Sequence, residues 1–369
     1  MLIKKRPFKD GFMTIQLLGL VMLSLIMSGL AIDFAFLYAA QNHLQTAADS
    51  AALAATQELY SSIAVDPDDR LADAKDAAAD FVDSNEDGLS LASDDVVFGY
   101  VNPTTKKYDR HNFKTPTLDP SYTATKGYNA VYVRVRKSEG SANSPLRTIM
   151  ANLLGISHMN AEAESVALLD QGITSISNGG VRPIYACQAQ FNRTMQDGIP
   201  QNDVVRVYGQ HVEVNGVQNQ AGCPTMGSGN WGFADLRNCN SNAVGSSTIS
   251  DWFRSGFPGT VRAGQCYSTN PGNFIPSIAD ELDDLIANQI VFPVPLYNSW
   301  SGGGSTSKVN VSGFVGFRIT GYKSNGNASG RYIEGYFTRY LCNTGCTSTS
   351  VPGVTPGGAV VKIRLAYRS

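Results

Sequence analysis

A chain of 369 residues is long enough to bury more than one core. A net charge of −2, with only 16% charged residues, leaves no basic surface for nucleic acid. Its 36 glycines, with abundant Ser, Thr and Asn, favour loop-rich β structure over a helical bundle.

Lys4, Lys5, Arg6 and Lys9 stand before a run from Phe12 to Ile32 that holds no charged residue. About twenty such residues at ~1.5 Å each cross a ~30 Å hydrocarbon core. The flanking positive charge puts the N-terminus in the cytoplasm and exports the C-terminal bulk. The apolar stretch is longer than the ~7–15 residues of a cleaved signal, and no small-residue cleavage site precedes Asp33, so a retained anchor is expected. Gly11, Phe12 and Gln16 form a candidate prepilin-type processing site. Cleavage there would follow Gly11, but the fifth mature position, usually Glu, is Gln16.

Beyond Asp33 the helical spacing continues to about Tyr60. Phe36, Ala40, Leu44, Ala47, Ala51, Ala55 and Leu59 recur three or four apart, with Gln41, Gln45, Asp49 and Glu58 between them. That is an amphipathic helix with a narrow stripe of small residues. Such a stripe admits a close partner helix as readily as the protein's own globular part.

The run Gly29-Leu30-Ala31-Ile32-Asp33, followed by Leu44-Gln45-Thr46-Ala47-Ala48-Asp49-Ser50-Ala51-Ala52-Leu53-Ala54-Ala55, resembles the N-terminal domain of TadE/TadG-like Flp (Tad) pilus-assembly proteins. The resemblance rests on Asp33, Leu44, Gln45, Ala47, Ala48 and Asp49 in register. It implies a membrane protein of pilus assembly, whose N-terminal helix meets other Tad or pilin-like subunits.

Asp66-Pro67 then opens a second helix, since Asp suits the N-cap and Pro the first helical position. Leu71, Ala74, Ala78, Phe81 and Val82 are its expected apolar face. It runs into Asp83-Ser84-Asn85-Glu86-Asp87-Gly88, where Asp83, Asn85 and Asp87 occupy positions 1, 3 and 5 of a D-x-N-x-D-G loop and Asp94 position 12. This is a candidate calcium loop with dockerin-like spacing. Its misfits are Leu91, where a polar ligand is usual, and Ser90, where an apolar residue is usual; a solvated acidic turn is the alternative.

A strand over Asp95–Val101 and a strictly alternating one over Asn129–Arg136 follow. The second places its valines on one face and Tyr and Arg on the other. Pro145–Ile156 reads as a helix closed by Gly155, and Met159–Leu169 as a strand. Residues 63–170 thus make a small α+β domain after the anchor unit of 1–62, and 171–369 a β-rich one.

In this last part Asp280–Ile286 reads as a helix burying Leu282, Leu285 and Ile286. Val291–Tyr297, Val309–Tyr322, Arg331–Leu341 and Ala359–Tyr367 read as strands, mostly antiparallel. Cys187, Cys223, Cys239, Cys266, Cys342 and Cys346 all fall here; an even number in an exported segment implies disulfides of open connectivity.

Asp170-Gln171-Gly172-Ile173-Thr174 breaks the Asp-x-Ser-x-Ser metal triad of von Willebrand A domains. No G-x-S-x-G, H-E-x-x-H or P-loop occurs. His43, His111, His158 and His211 are scattered, and the adjacent acidic pairs point apart along their elements.

The fold class expected is α+β: a long transmembrane, pilin-like helix, a small α+β domain, and a disulfide-stabilised β-rich domain. The function expected is non-enzymatic: an accessory or minor subunit in Flp pilus assembly, or in related secretion or adhesion. It would sit in the bacterial inner membrane with its bulk in the periplasm or cell exterior, oligomeric or not, with calcium the one cofactor suggested. The alternative is a membrane-tethered envelope enzyme or carbohydrate-binding protein, with Trp231, Trp252 and Trp300 in Gly/Asn-rich surroundings as sugar platforms.

Overall fold

The computed structural model describes residues 10–61, 67–85, 88–99, 128–196, 199–200, 203–208, 213–218, 223, 232–239, 244–272, 275–303, 306–325, 330–348 and 360–368. Helix α1, Asp10–Ser61, is one continuous helix of 52 residues. Its first half presents its apolar side chains outward, from Met13 through Met27, and within it Ser24 and Ser28 donate their hydroxyls back to the carbonyls of Val21 and Ser24. That arrangement leaves neither hydroxyl seeking water on an apolar surface.

The second half of α1 lies on a sheet. Strands β1 (Val96–Gly99), β2 (Ala130–Lys137) and β5 (Ala161–Gln171) pair antiparallel in that order, and the strand Val360–Arg368 pairs antiparallel with β5. Tyr340–Leu341 then pairs parallel with Val360–Val361. The end of the chain therefore returns to complete the sheet begun before residue 100. Two short strands, β3 (Leu146–Arg147) and β4 (His158–Met159), form a hairpin of their own between β2 and β5.

Helix α2, Pro67–Asn85, packs alongside α1, with Ala74, Ala78 and Val82 fully buried. Phe81, expected on the same face, is instead 50% exposed. At 3.6 residues per turn it is rotated past the edge of the stripe that Ala74, Ala78 and Val82 define. Phe81→Ser is accordingly expected to change the unfolding free energy by less than about 0.5 kcal/mol in a denaturant titration.

The strand β2 also departs from a simple two-faced pattern. Val131, Val133 and Val135 face α1, as their alternation predicts, but Tyr132 is buried as well, in a second cluster with Ala130, Val166 and Leu168. Both faces of this strand are covered near its start.

The larger core belongs to the region after residue 172. Strands Val205–Tyr208, Tyr332–Thr338, Lys308–Lys323, Cys266–Pro271 and Gly232–Asp235 lie side by side, with Val291–Ser301 also paired antiparallel to Lys308–Lys323. Phe292, Phe314, Phe317 and Phe337 fill the interior. Helix Ala279–Ala287 buries Leu282 and Leu285, with Ile286 partly covered. Helix Ser246–Ser255 buries Ile249, Trp252 and Phe253. Cys187–Cys223, Cys239–Cys266 and Cys342–Cys346 are disulfide-bonded.

The expected helix over Pro145–Ile156 is not formed. In its place stand β3, a single 3-10 turn over Ala151–Leu154, and β4. Gly155 closes the turn in the left-handed conformation at φ 87°, which a glycine adopts without a Cβ penalty. The hairpin pairing on either side leaves room for one turn only.

Candidate functional site

The residues singled out by the family pattern converge where α1 meets the sheet. Leu44, Ala47, Ala48, Ala51, Ala52 and Ala55 are all fully buried, in one cluster with the valines of β2 and the alanines of β5. Small side chains bring the helix axis close to the pleated surface, so the stripe is occupied by the protein's own sheet and α2. Gln45 donates from Nε2 to Asp49 Oδ1 at 3.0 Å, one turn on, and to the Glu164 carbonyl of β5 at 3.2 Å. The Leu-Gln-x-Ala-Ala-Asp pattern is thus a docking seam, with Gln45 as its polar contact to the sheet.

Asp33, the first residue past the uncharged stretch, has the most specific geometry. Its Oδ1 accepts the backbone N–H of Ile149 at 2.9 Å, and its Oδ2 accepts those of Met150 at 2.9 Å and Ala151 at 2.7 Å. These amides open the 3-10 turn Ala151–Leu154, which receives no cap from the Met150 side chain itself. The exposed amides of a helical turn favour a carboxylate. The Ile149 amide, and after it that of Ala151, holds the Asp33 carboxyl below its ordinary value; burial opposes this and the Met150 amide adds to it. An acid at the end of an apolar stretch is tolerable because its acceptor capacity is satisfied by the protein.

One turn before Asp33, the hairpin tip also touches the helix. Gly29 faces Met150 so closely that a Cβ there would lie 2.2 Å from Met150 Cγ. At the far end of α1, Tyr60 is fixed in turn: Arg339 lies 4.8 Å over its ring and donates to its carbonyl at 3.1 Å.

Gly11 and Phe12 fall in the first turn of α1, and Gln16 is exposed on its apolar half. In the acidic loop, Asp83 Oδ1 accepts the Gly88 amide at 3.2 Å, and Asn85 Nδ2 turns back to the Phe81 carbonyl at 2.7 Å. Asp94 is exposed, 3.6 Å from Arg136 and 3.9 Å from Arg134, and Asp87 lies outside the described residues. Both arginines pair more closely with the buried Asp95, at 2.6 and 3.3 Å. Among the described residues, no group of three or more His, Cys, Asp or Glu converges as a metal site.

Trp252 is buried edge-on against Phe257, and Trp300 packs against Tyr297; Trp231 and His211 lie outside the described residues. Asp170 is engaged by Arg364 and by the Ser348 hydroxyl.

Comparison with known families bears on the same junction. A family model described as Flp pilus-assembly TadE/G-like matches residues 11–58, and one described as Tad-like Flp pilus-assembly matches residues 38–167. Over residues 11–167 the chain is similar to the Tad-type Flp pilus-assembly proteins. The two matches overlap on the alanine seam, and the Tad region ends inside β5, the strand on which the seam is docked. Searches of curated proteins and of solved structures returned no match.

Asp33 and the seam are legible in the sequence, but their partners are not. The three amides that Asp33 caps lie 116–118 residues away, and nothing local to Asp33 announces them.

Proposed function

We propose that this is a single-pass, membrane-anchored accessory or minor subunit of Flp pilus assembly, or of a related secretion or adhesion device, and that it is not an enzyme. The carrying observation is that the Tad-pattern residues themselves weld the apolar helix to the folded domain: Asp33 by its carboxylate, Leu44 to Ala55 by burial. A helix so joined transmits position from the membrane to the ectodomain. The basic tail, Lys4 to Lys9, supports a cytoplasmic N-terminus and a bulk exposed to the periplasm or cell exterior.

Because the seam is filled by the protein's own sheet, contact with other Tad or pilin-like subunits falls to the apolar half of α1 and to the ectodomain surface. The burial of Trp252 and the packing of Trp300 support this reading over a sugar-binding one. Deleting the gene is expected to reduce surface fibres and adhesion together. Fibre counts by electron microscopy that match the parent strain would overturn the assembly role.

A further inference from the structure

The tip of the β3–β4 hairpin has a composition that the assembly role does not use. From Thr148 to Ser157 there is no charged residue. Five large apolar side chains stand out from it: Leu153 at 79% exposure and Ile149 at 66%, with Leu154, Ile156 and Met150 exposed to a lesser degree. A soluble loop facing water has no physical reason to display them so densely.

The tip's backbone is also prepared for a dry setting. Thr148 donates its amide to the Ser157 carbonyl, and the next three amides go to Asp33. Those of Leu153, Gly155 and Ile156 turn inward onto Met150, Asn152 and Ala151. Hydrocarbon penalises backbone groups left unsatisfied, and these are already paired.

Position decides what covers this surface. Met150 rests on Gly29, four residues into the apolar stretch from Asp33, which is ~6 Å along a helix axis at ~1.5 Å per residue. The tip therefore lies on the face of α1 that also carries the exposed apolar side chains Leu25, Ile26 and Ile32, each three or four residues from Gly29. Arg147 and His158 mark the hairpin base, where chains with polar ends meet headgroups.

We propose that the hairpin tip is a second membrane contact: a monotopic wedge that enters the headgroup–acyl boundary of the leaflet where α1 emerges. Apolar elements of this kind sit ~5–10 Å deep. Two contacts fix the tilt and rotation of the ectodomain on the membrane, which a single helix does not. The inference rests on the anchor reading of α1.

The test uses the full chain reconstituted in bilayers of phosphatidylethanolamine and phosphatidylglycerol, with an environment-sensitive nitrobenzoxadiazole dye on one introduced cysteine at a time. Leu153→Cys reports the tip, Leu20→Cys the helix, and Asp73→Cys, exposed on α2, the aqueous control. The expected result is that lipid-borne nitroxide quenches the dye at positions 153 and 20, while iodide quenches it only at 73. Iodide access at 153, with lipid quenching intact at 20, overturns the wedge and leaves the anchor standing. Absence of lipid quenching at 20 overturns the anchor reading itself. A dye at 153 shielded from both quenchers means that a protein surface covers the tip, and that too overturns the wedge.

Discussion

Replacing Ala48 and Ala51 together by leucine is expected to lower the stability of the helix-on-sheet unit by roughly 2–6 kcal/mol, if each overpacked site costs about 1–3 kcal/mol. Both residues are fully buried in the cluster that joins α1 to β2, β5 and α2. Protein interiors are packed nearly as densely as organic crystals, so six added carbons have no void to enter. The helix has to lift, and as it lifts the bond from Gln45 to the Glu164 carbonyl lengthens. Hydrogen exchange on the full chain in lipid nanodiscs reads this directly: amides of β2 and β5 lose protection while those in Val291–Ser301, in the other core, keep theirs. The same experiment separates two uses of the stripe. If it served a partner helix instead, the isolated protein would retain its protection, and only assembly would suffer.

How far the sequence disclosed this arrangement depends on the range of the contacts involved. The continuity of α1 was legible because its periodicity is local and its alanines have high helix propensity. The strands between Val291 and Leu341 were legible from runs of apolar and aromatic residues bounded by glycines and turns. Helix Ser246–Ser255 also carries a helical signal, since Ile249, Trp252 and Phe253 are spaced three and four apart, but its Ser-rich first turn masks it.

The stretch Pro145–Ile156 misled for a different reason. Its Leu, Ile and Met fall at helical spacing, yet their periodicity does not mark a buried face: Ile149, Leu153 and Leu154 point away from the protein. Local spacing cannot reveal that a carboxylate more than a hundred residues upstream will satisfy the first amides of a single turn. Nor can it reveal that the last strand of the chain returns beside β5, because both strands read equally well as members of separate sheets.

Asp33→Ala is expected to release the hairpin tip from α1 while leaving the rest of the fold in place. The substitution removes an acceptor from three amides at once, those of Ile149, Met150 and Ala151. Bonds from an N–H to a charged carboxylate are stronger than neutral ones, so exchange of these three amides should accelerate on the order of tenfold or more. Asp33→Asn is expected to fall short of rescue. Its single carbonyl oxygen can replace one carboxylate oxygen, but its NH2 group then faces an N–H and repels it. Asp33→Glu keeps the charge on a longer arm and should recover part of the protection.

The effect of pH follows from the direction in which the carboxyl is shifted. Its folded value lies below the ordinary one, because the amides of Ile149 and Ala151 favour the charged form. The unfolded state therefore binds the proton first as pH falls. The stabilisation from Asp33 is complete above the ordinary carboxylate range and is lost as pH falls through the lowered folded value. Protection of the tip amides in the parent protein should persist through mild acid and collapse only beyond it. In Asp33→Ala, protection of the same amides should already be low and change little over that range. If tip exchange in the parent has the same pH profile as in Asp33→Ala, the carboxylate does not hold the hairpin, and the junction has to be explained by the contact of Met150 with Gly29 alone.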